Sequence, residues 1–302
     1  MKWFLKAMMF QVLARAPGGQ QVYHRLQRVT GSSEQTQGRL AGKIDQTLQY
    51  WKWLEQNTPA EWRATTSHLD FGTGWLPSVP IVFYSLGVSR QYLVDIERHM
   101  QPEAVVRTIE MFRAVAPQSQ VKFARMPAVP PYGQQLETTL ESLGMVYAAP
   151  YDQLAEQIAG KVGFVTATHM LLHLNRDALG AVLRTIYRLL EPGGYFMALL
   201  HLRQLFDGLY ARTSPFFALR YSDWFWENII NSRMMSYNRL KPRDYQEALV
   251  EAGFEIALLE VEPGTAEDSA QLERARIHPV FAKYSREELA ARHLFLVARK
   301  PL

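Results

Sequence analysis

The chain has 302 residues, 48% hydrophobic and 21% charged, which is a globular balance with material for one large domain or a domain plus a cap. Its net charge of +4 is scattered, with no run of five or six lysines or arginines, so the electrostatic footprint of a nucleic-acid binder is missing. Cysteine is absent, which excludes disulfides and thiolate metal sites and agrees with a cytoplasmic setting.

The opening "MKWFLKAMMFQVLARAP" imitates a signal peptide, but Lys6 and Gln11 break its apolar middle. The expectation is an amphipathic helix; Trp3, Phe4, Met8, Met9 and Phe10 leave weak docking to a membrane surface open. No stretch reaches the ~18 apolar residues of a membrane span. Pro17-Gly18-Gly19 ends this helix, "GSSEQTQG" reads as a loop, and a second helix runs from about Leu40 to Gln56, with Tyr50, Trp51, Trp53 and, just beyond, Trp62. Residues 1–60 therefore form a helical N-terminal cap. From about residue 66, short apolar runs alternate with helical periods, the pattern of a parallel α/β sheet. Strands are predicted at 67–72, 90–95, 144–149, 162–167, 194–201, 254–262 and 293–299. Helices are predicted at 77–87, 97–115, 131–143, 152–160, 175–190 and 241–252. Pro192-Gly193-Gly194 reads as a turn between a helix and the fifth strand. Residues 202–240 are too rich in Phe, Tyr, Trp and Arg for an idle loop, whereas 263–292 is polar and poorly periodic.

The first strand ends in "LDFGTG" and a helix follows, the context of a ligand loop. Gly72 and Gly74 allow a tight turn and close backbone approach. A dinucleotide fingerprint needs a third glycine where Pro77 stands, and there is no Walker lysine. Asp70, two residues before the first glycine, repels pyrophosphate and attracts a cation such as the ammonium or sulfonium of S-adenosylmethionine. Asp95 ends the next strand at a spacing suited to ribose hydroxyls. Asp152 follows the third strand, within reach of an adenine amino group. Three acids at the carboxyl ends of successive strands converge on one crevice.

These features together resemble a class I S-adenosylmethionine-dependent methyltransferase. Asp70-Phe71-Gly72-Thr73-Gly74 matches its first motif, Asp95 its second and Tyr151-Asp152 its third. "FVTATHMLLHL" resembles its fourth-strand motif and "LLEPGGYFMAL" the turn into its fifth strand; the tail around residues 220–254 is similar to a bacterial subgroup acting on small molecules. The resemblance implies a Rossmann-like seven-stranded, mostly parallel sheet with an antiparallel last strand. The helical cap would precede a methyltransferase domain over 61–302, with an aromatic-rich cap insertion at about 202–240. It implies that Asp70, Gly72, Thr73, Gly74, Trp75, Asp95, Ile96, Tyr151, Asp152 and Thr168 bind S-adenosylmethionine and its product S-adenosylhomocysteine. His169, after the fourth strand, is a candidate general base, with an ordinary pKa of ~6.5. His201, ending the fifth strand, is the second candidate catalytic residue. Arg203, Tyr221, Tyr237 and Arg239 are candidate substrate contacts, with the arginines suited to a carboxylate or phosphate. Leu76 replaces the family's third loop glycine, and Gly163 and Leu172 stand where relatives carry acids. Without those acids His169 and His173, four apart and able to share one helix face, make no complete metal site, so none is expected. The function implied is methyl transfer to an O, N or S atom of a small molecule. A catalytically diverged binding protein and an RNA methyltransferase are the alternatives.

Overall fold

The computed structural model describes residues 36–119, 121–203, 214–232 and 236–302. The expected first helix, its Pro17-Gly18-Gly19 stop and most of the following loop lie outside the described residues. The chain forms two compact units. The first comprises Glu34–Thr168, Thr185–Met197 and Arg299–Leu302; the second, within the described residues, comprises His169–Arg184 and Ala198–Ala298.

The first unit opens with helix α1 (Gln37–Asn57), which buries Leu40, Ile44, Thr47, Tyr50 and Leu54 at the three- and four-residue spacing of one helix face. Leu40 and Ile44 share a core with Ile81, Val82, Leu93, Val105, Ile109 and Phe112. A short helix α2 (Ala60–Thr65), not foreseen, leads into strand β1 (Ser67–Phe71). Helix α3 (Ser78–Leu86) begins directly after Pro77 and stops at Gly87, whose φ of +114° a side chain would resist. There follow β2 (Arg90–Val94), α4 (Pro102–Val115), α5 (Leu136–Glu141), β3 (Met145–Ala148), α6 (Asp152–Ile158) and β4 (Val162–Thr168); helix α7 (Arg176–Leu189) and strand β5 (Leu190–His201) are each divided between the two units. β1 pairs in parallel with β2 and β4, and β2 with β3. Every residue of β1 is buried, as for the centre of a parallel sheet.

β5 starts four residues before the predicted strand, so Pro192-Gly193-Gly194 lies inside it rather than ahead of it. Gly193 takes φ +79°, and the bend still finds backbone partners: the Gly193 N–H donates to the Lys300 carbonyl at 3.0 Å and the Lys300 N–H to that of Gly194 at 2.9 Å.

In the second unit, helix α8 (Pro242–Glu251) precedes strand β6 (Glu255–Glu262). The segment 263–292, expected to be irregular, contains helices α9 (Ala266–Arg274) and α10 (Arg286–Ala290), each opened by a capping box, Thr265 with Asp268 and Ser285 with Glu288. Strand β7 (His293–Arg299) closes the order β3-β2-β1-β4-β5-β7-β6 of a seven-stranded sheet. The bonds Leu202 N–H to Arg292 O and Arg292 N–H to Glu262 O, both 2.9 Å, belong to antiparallel last strands. Among the described residues no helix is long and apolar enough to cross a membrane.

Gly163, in β4, has a steric explanation. A Cβ there would lie 1.7 Å from Thr66 Oγ1 and 3.1 Å from Trp62 Cζ2, so any side chain must displace the Thr66 hydroxyl and crowd Trp62. Gly163→Ala is expected to cost about 1–3 kcal/mol through overpacking. Urea unfolding measures this, and an unchanged midpoint would refute the steric reading.

Candidate functional site

The β1–α3 loop is held against the end of β2. The N–H groups of Gly72 and Thr73 both donate to the Val94 carbonyl, at 2.9 and 3.2 Å. Gly74 adopts φ +72° with open space where a Cβ would stand, so backbone conformation, not crowding, demands glycine there. Its N–H donates to Asp95 Oδ2 at 2.8 Å, while Oδ1 accepts the Ile96 N–H at 2.7 Å. Asp95 thus fixes the glycine loop, and each oxygen keeps a second lone pair for a ligand. Ile96, 69% exposed, presents an apolar surface beside it. Trp75 stacks on His99 with centroids 4.8 Å apart, and Tyr151 packs on Phe71 at 5.6 Å. Asp152 is exposed in the first turn of α6, where Tyr151 rather than Asp152 holds the N-cap position.

Two contributors went unread in the sequence. Tyr50 of α1 places its hydroxyl 3.1 Å from Thr168 Oγ1 at the end of β4. Lys43, one helix turn from the buried Leu40, lies within electrostatic reach of Asp70, and burial pushes its ammonium below the ordinary lysine range. The available signal was a lysine set within an otherwise apolar helix face.

Asp70 is 5% exposed and joins a buried polar chain. The Gln91 amide nitrogen donates to the Pro80 carbonyl at 2.9 Å, so its amide oxygen faces His68 Nδ1 at 2.8 Å. A carbonyl oxygen only accepts, so His68 carries its proton on Nδ1 and offers Nε2 as an acceptor, 2.8 Å from Thr166 Oγ1. Burial drives the His68 pKa down to about 3, which removes the doubly protonated form. The Thr166 hydroxyl has one proton. When Asp70 is ionised, that proton goes to Asp70 Oδ1 at 3.1 Å and His68 Nε2 lacks a donor. When Asp70 is protonated, the hydroxyl is released to His68 and every group is served. Burial also pushes the Asp70 pKa up to about 6, against the pull of Thr166, Thr73 and Lys43 and with a push from Asp95.

The remaining candidates lie in the second unit. His169 takes φ +59°, a strained left-handed conformation for a non-glycine residue, held by its N–H donating to the Leu199 carbonyl at 2.8 Å. Its ring stacks on that of His201 with centroids 4.1 Å apart and planes 8° from parallel. His201 in turn meets His293 edge to face at 4.5 Å, and His293 Nδ1 bonds Glu262 Oε2. His293 and Glu262 were not identified from the sequence, because β6 and β7 bring them together from 31 residues apart. His173 does not share a helix face with His169. It sits on a tight Leu171–His173 turn with Nδ1 2.7 Å from the Ser236 carbonyl. Among the described residues no group of three or more His, Cys, Asp or Glu side chains is arranged to hold a metal.

The anion-clamp role read for the arginines meets competition from the protein itself. Arg203 Nη1 donates to Asp268 Oδ1 at 2.6 Å and Nη2 to the Ala290 carbonyl at 2.8 Å. Arg239 Nη1 donates to the Ala218 and Tyr221 carbonyls at 2.9 and 2.6 Å, and Nη2 pairs with Asp223. Both side chains also lie against aromatic rings, Arg203 on Phe216 and Arg239 on Trp226 and Phe281. Tyr221 stacks on Phe225 at 4.9 Å, and Tyr237 packs on His173 at 4.9 Å.

Residues 33–259 match the family model described as "Methyltransferase domain", which spans more than half of the chain. No curated protein sequence matches. Among solved structures, a SAM-dependent methyltransferase from Methanosarcina mazei is 13% identical, with 79% of this chain and 94% of that one covered at a TM-score of 0.42. An S-adenosylmethionine-dependent methyltransferase from Mesorhizobium loti is 14% identical, covering 83% and 97% at 0.40. A geranyl diphosphate methyltransferase in complex with SAM is 13% identical, covering 87% and 90% at 0.43. With a glycine loop tied to the acid that ends β2, and the family match across 33–259, the chain belongs to the methyltransferase-domain family, as an enzyme whose cofactor is S-adenosylmethionine.

Proposed function

We propose that the protein methylates a small-molecule acceptor that gives up a proton, with Asp70, the 72–75 loop, Asp95, Ile96, Tyr151, Asp152 and Thr168 as its cofactor residues. The bond from the Gly74 N–H to Asp95 carries this reading, because it presents a carboxylate and a glycine loop as one rigid surface. The residues fit S-adenosylmethionine. Buried Asp70 suits an ammonium, the spare lone pairs of Asp95 suit a ribose diol, and exposed Ile96 suits one face of an adenine. When bound, the cofactor supplies an electrophilic methyl on a sulfonium; the protein's part is alignment and exclusion of water. A hydroxyl or ammonium acceptor must lose its proton as the new bond to carbon forms. His169 and His201 are the groups we assign to receive it, their rings stacked on each other, with His293, bonded to Glu262, packed edge to face on His201.

A small acceptor is supported by the described part of the 202–240 insertion, where Phe217, Tyr221 and Phe225 form a half-buried aromatic set. In this reading residues 1–60 and the insertion serve a methyltransferase domain over 61–302, in the cytoplasm. Incubation with methyl-labelled S-adenosylmethionine and either a small-metabolite extract or total RNA tests it. Label appearing in RNA alone would overturn it.

Three outcomes are expected. In calorimetry, Asp95→Ala weakens S-adenosylmethionine binding by about 1.5–3 kcal/mol, the scale of hydrogen bonds to a charged group, while undiminished affinity would remove Asp95 from the site. The second outcome concerns pH. With its pKa near 6 rather than 3.8, folded Asp70 holds its proton more tightly than unfolded Asp70 does. Stability from this group is therefore greatest below about pH 4 and falls as pH rises through 6, by up to about 3 kcal/mol. Asp70→Asn removes that loss, so in urea its stability relative to the parent should grow from pH 4 to 7 while cofactor affinity falls; a constant difference counts against the buried-chain argument. Third, His201→Phe, which keeps the ring stack and removes the base, should lower kcat about 100-fold or more with cofactor affinity retained. Unchanged kcat would exclude His201 from proton transfer.

A further inference from the structure

The second unit contains an ammonium that, among the described residues, has no hydrogen-bond or ion-pair partner, although Asp244 lies within electrostatic reach. Lys241 is 4% exposed. Its backbone N–H caps α8 by donating to Asp244 Oδ2 at 2.8 Å, but among the described residues its ammonium makes no hydrogen bond or ion pair. The nearby carboxylates are already engaged. Asp244 also accepts from the Tyr284 hydroxyl at 2.7 Å and meets Arg176 and Lys283 at 3.4 and 3.5 Å. Asp268 serves Arg203 and Arg292, and Asp223 serves Arg239.

A second donor is also unspent. With both terminal nitrogens of Arg203 occupied, its Nε–H is buried and has no partner among the described residues. Arg203 and Arg239 lie against Phe216 and Phe281, two rings of one apolar cluster, and Lys241 follows Arg239 by two residues. Lys241 is within electrostatic reach of both arginines. Burial and their charge push its pKa down to about 8, with Asp244 pulling the other way. An ammonium with no hydrogen-bonded acceptor, set beside two guanidinium groups, favours the approach of an anion.

We propose that Lys241 and the Nε–H of Arg203 form a binding site for a compact oxyanion, a carboxylate or a phosphate group, in the second unit. Lysine supplies a point charge with three donors, and the arginine Nε–H a fixed direction, a pair that suits two oxygens on one centre. The site uses none of the cofactor residues and does not rest on the methyl-transfer reading. The anionic group is either part of the acceptor or a separate small ligand.

Thermal unfolding of the full chain tests this, with inorganic phosphate or succinate at about 10 mM against sodium chloride of equal ionic strength. One of the two anions should raise the melting temperature by several degrees, and Lys241→Met should abolish the shift. Stabilisation by phosphate marks a phosphorylated ligand, and stabilisation by succinate a carboxylate. No shift with either anion, or a shift retained in Lys241→Met, overturns the proposal. Should that variant fail to fold, the lysine side-chain nitrogen resonances of the unaltered protein decide: one must move and saturate as the stabilising anion is titrated, and none moving overturns the site. Calorimetry of S-adenosylmethionine on the same samples keeps the two readings apart, because cofactor binding is expected whether or not the anion binds.

Discussion

The single hydroxyl proton of Thr166 has two claimants, His68 Nε2 and Asp70 Oδ1, and much of the first unit is arranged around that competition. β1 lies between β2 and β4, so its side chains have no water to turn to. The strand nevertheless carries an imidazole and a carboxyl. The imidazole spans the sheet from Gln91 on β2 to Thr166 on β4, wedged between Phe83 and Phe164. Any change in the charge of Asp70 is therefore felt across three strands. A buried polar chain of this sort is costly unless complete, and it completes itself only with a neutral carboxyl or with an external cation that justifies the ionised one.

The sheet was largely legible in the sequence because its strands are short apolar runs bounded by Gly, Pro and Asp, and its helices carry a regular apolar stripe. Where those signals weaken, the expectation failed for identifiable reasons. The 263–292 segment was too polar for periodicity, yet Thr265-x-x-Asp268 and Ser285-x-x-Glu288 were helix-start signals in plain view. Pro192-Gly193-Gly194 has the composition of a turn, but backbone bonds to Lys300 keep it in the strand. Local pattern cannot register a partner so distant.

The same division holds for the site. Asp70, Gly74 and Asp95 could be found because loop chemistry is local. The arginines could not be assigned, because Arg203 meets Asp268 across 65 residues and Arg239 is satisfied by carbonyls 18 and 21 residues upstream. Residue type suggested an anion clamp, and tertiary structure spends most of those donors internally. The anion site we propose, on Lys241 and one guanidinium edge, is narrower than a row of arginines. Tyr50 and Lys43 were missed for the opposite reason, since a helix outside the recognised motifs supplies them.

The fastening of β5 by residues 299–300 bears on how the protein is made. Lys300 Nζ donates to carbonyls 110 and 113 residues earlier, at Leu190 and Tyr187, where α7 passes into β5. While a ribosome is still adding those intervening residues, β1 to β4 can already pair in parallel, but the root of β5 lacks its final partners. The nascent sheet thus carries an open margin until the 110 residues after Leu190 have been added, and closing contacts of such long sequence separation form slowly. Protection of that margin during translation is a demand that the finished fold no longer displays.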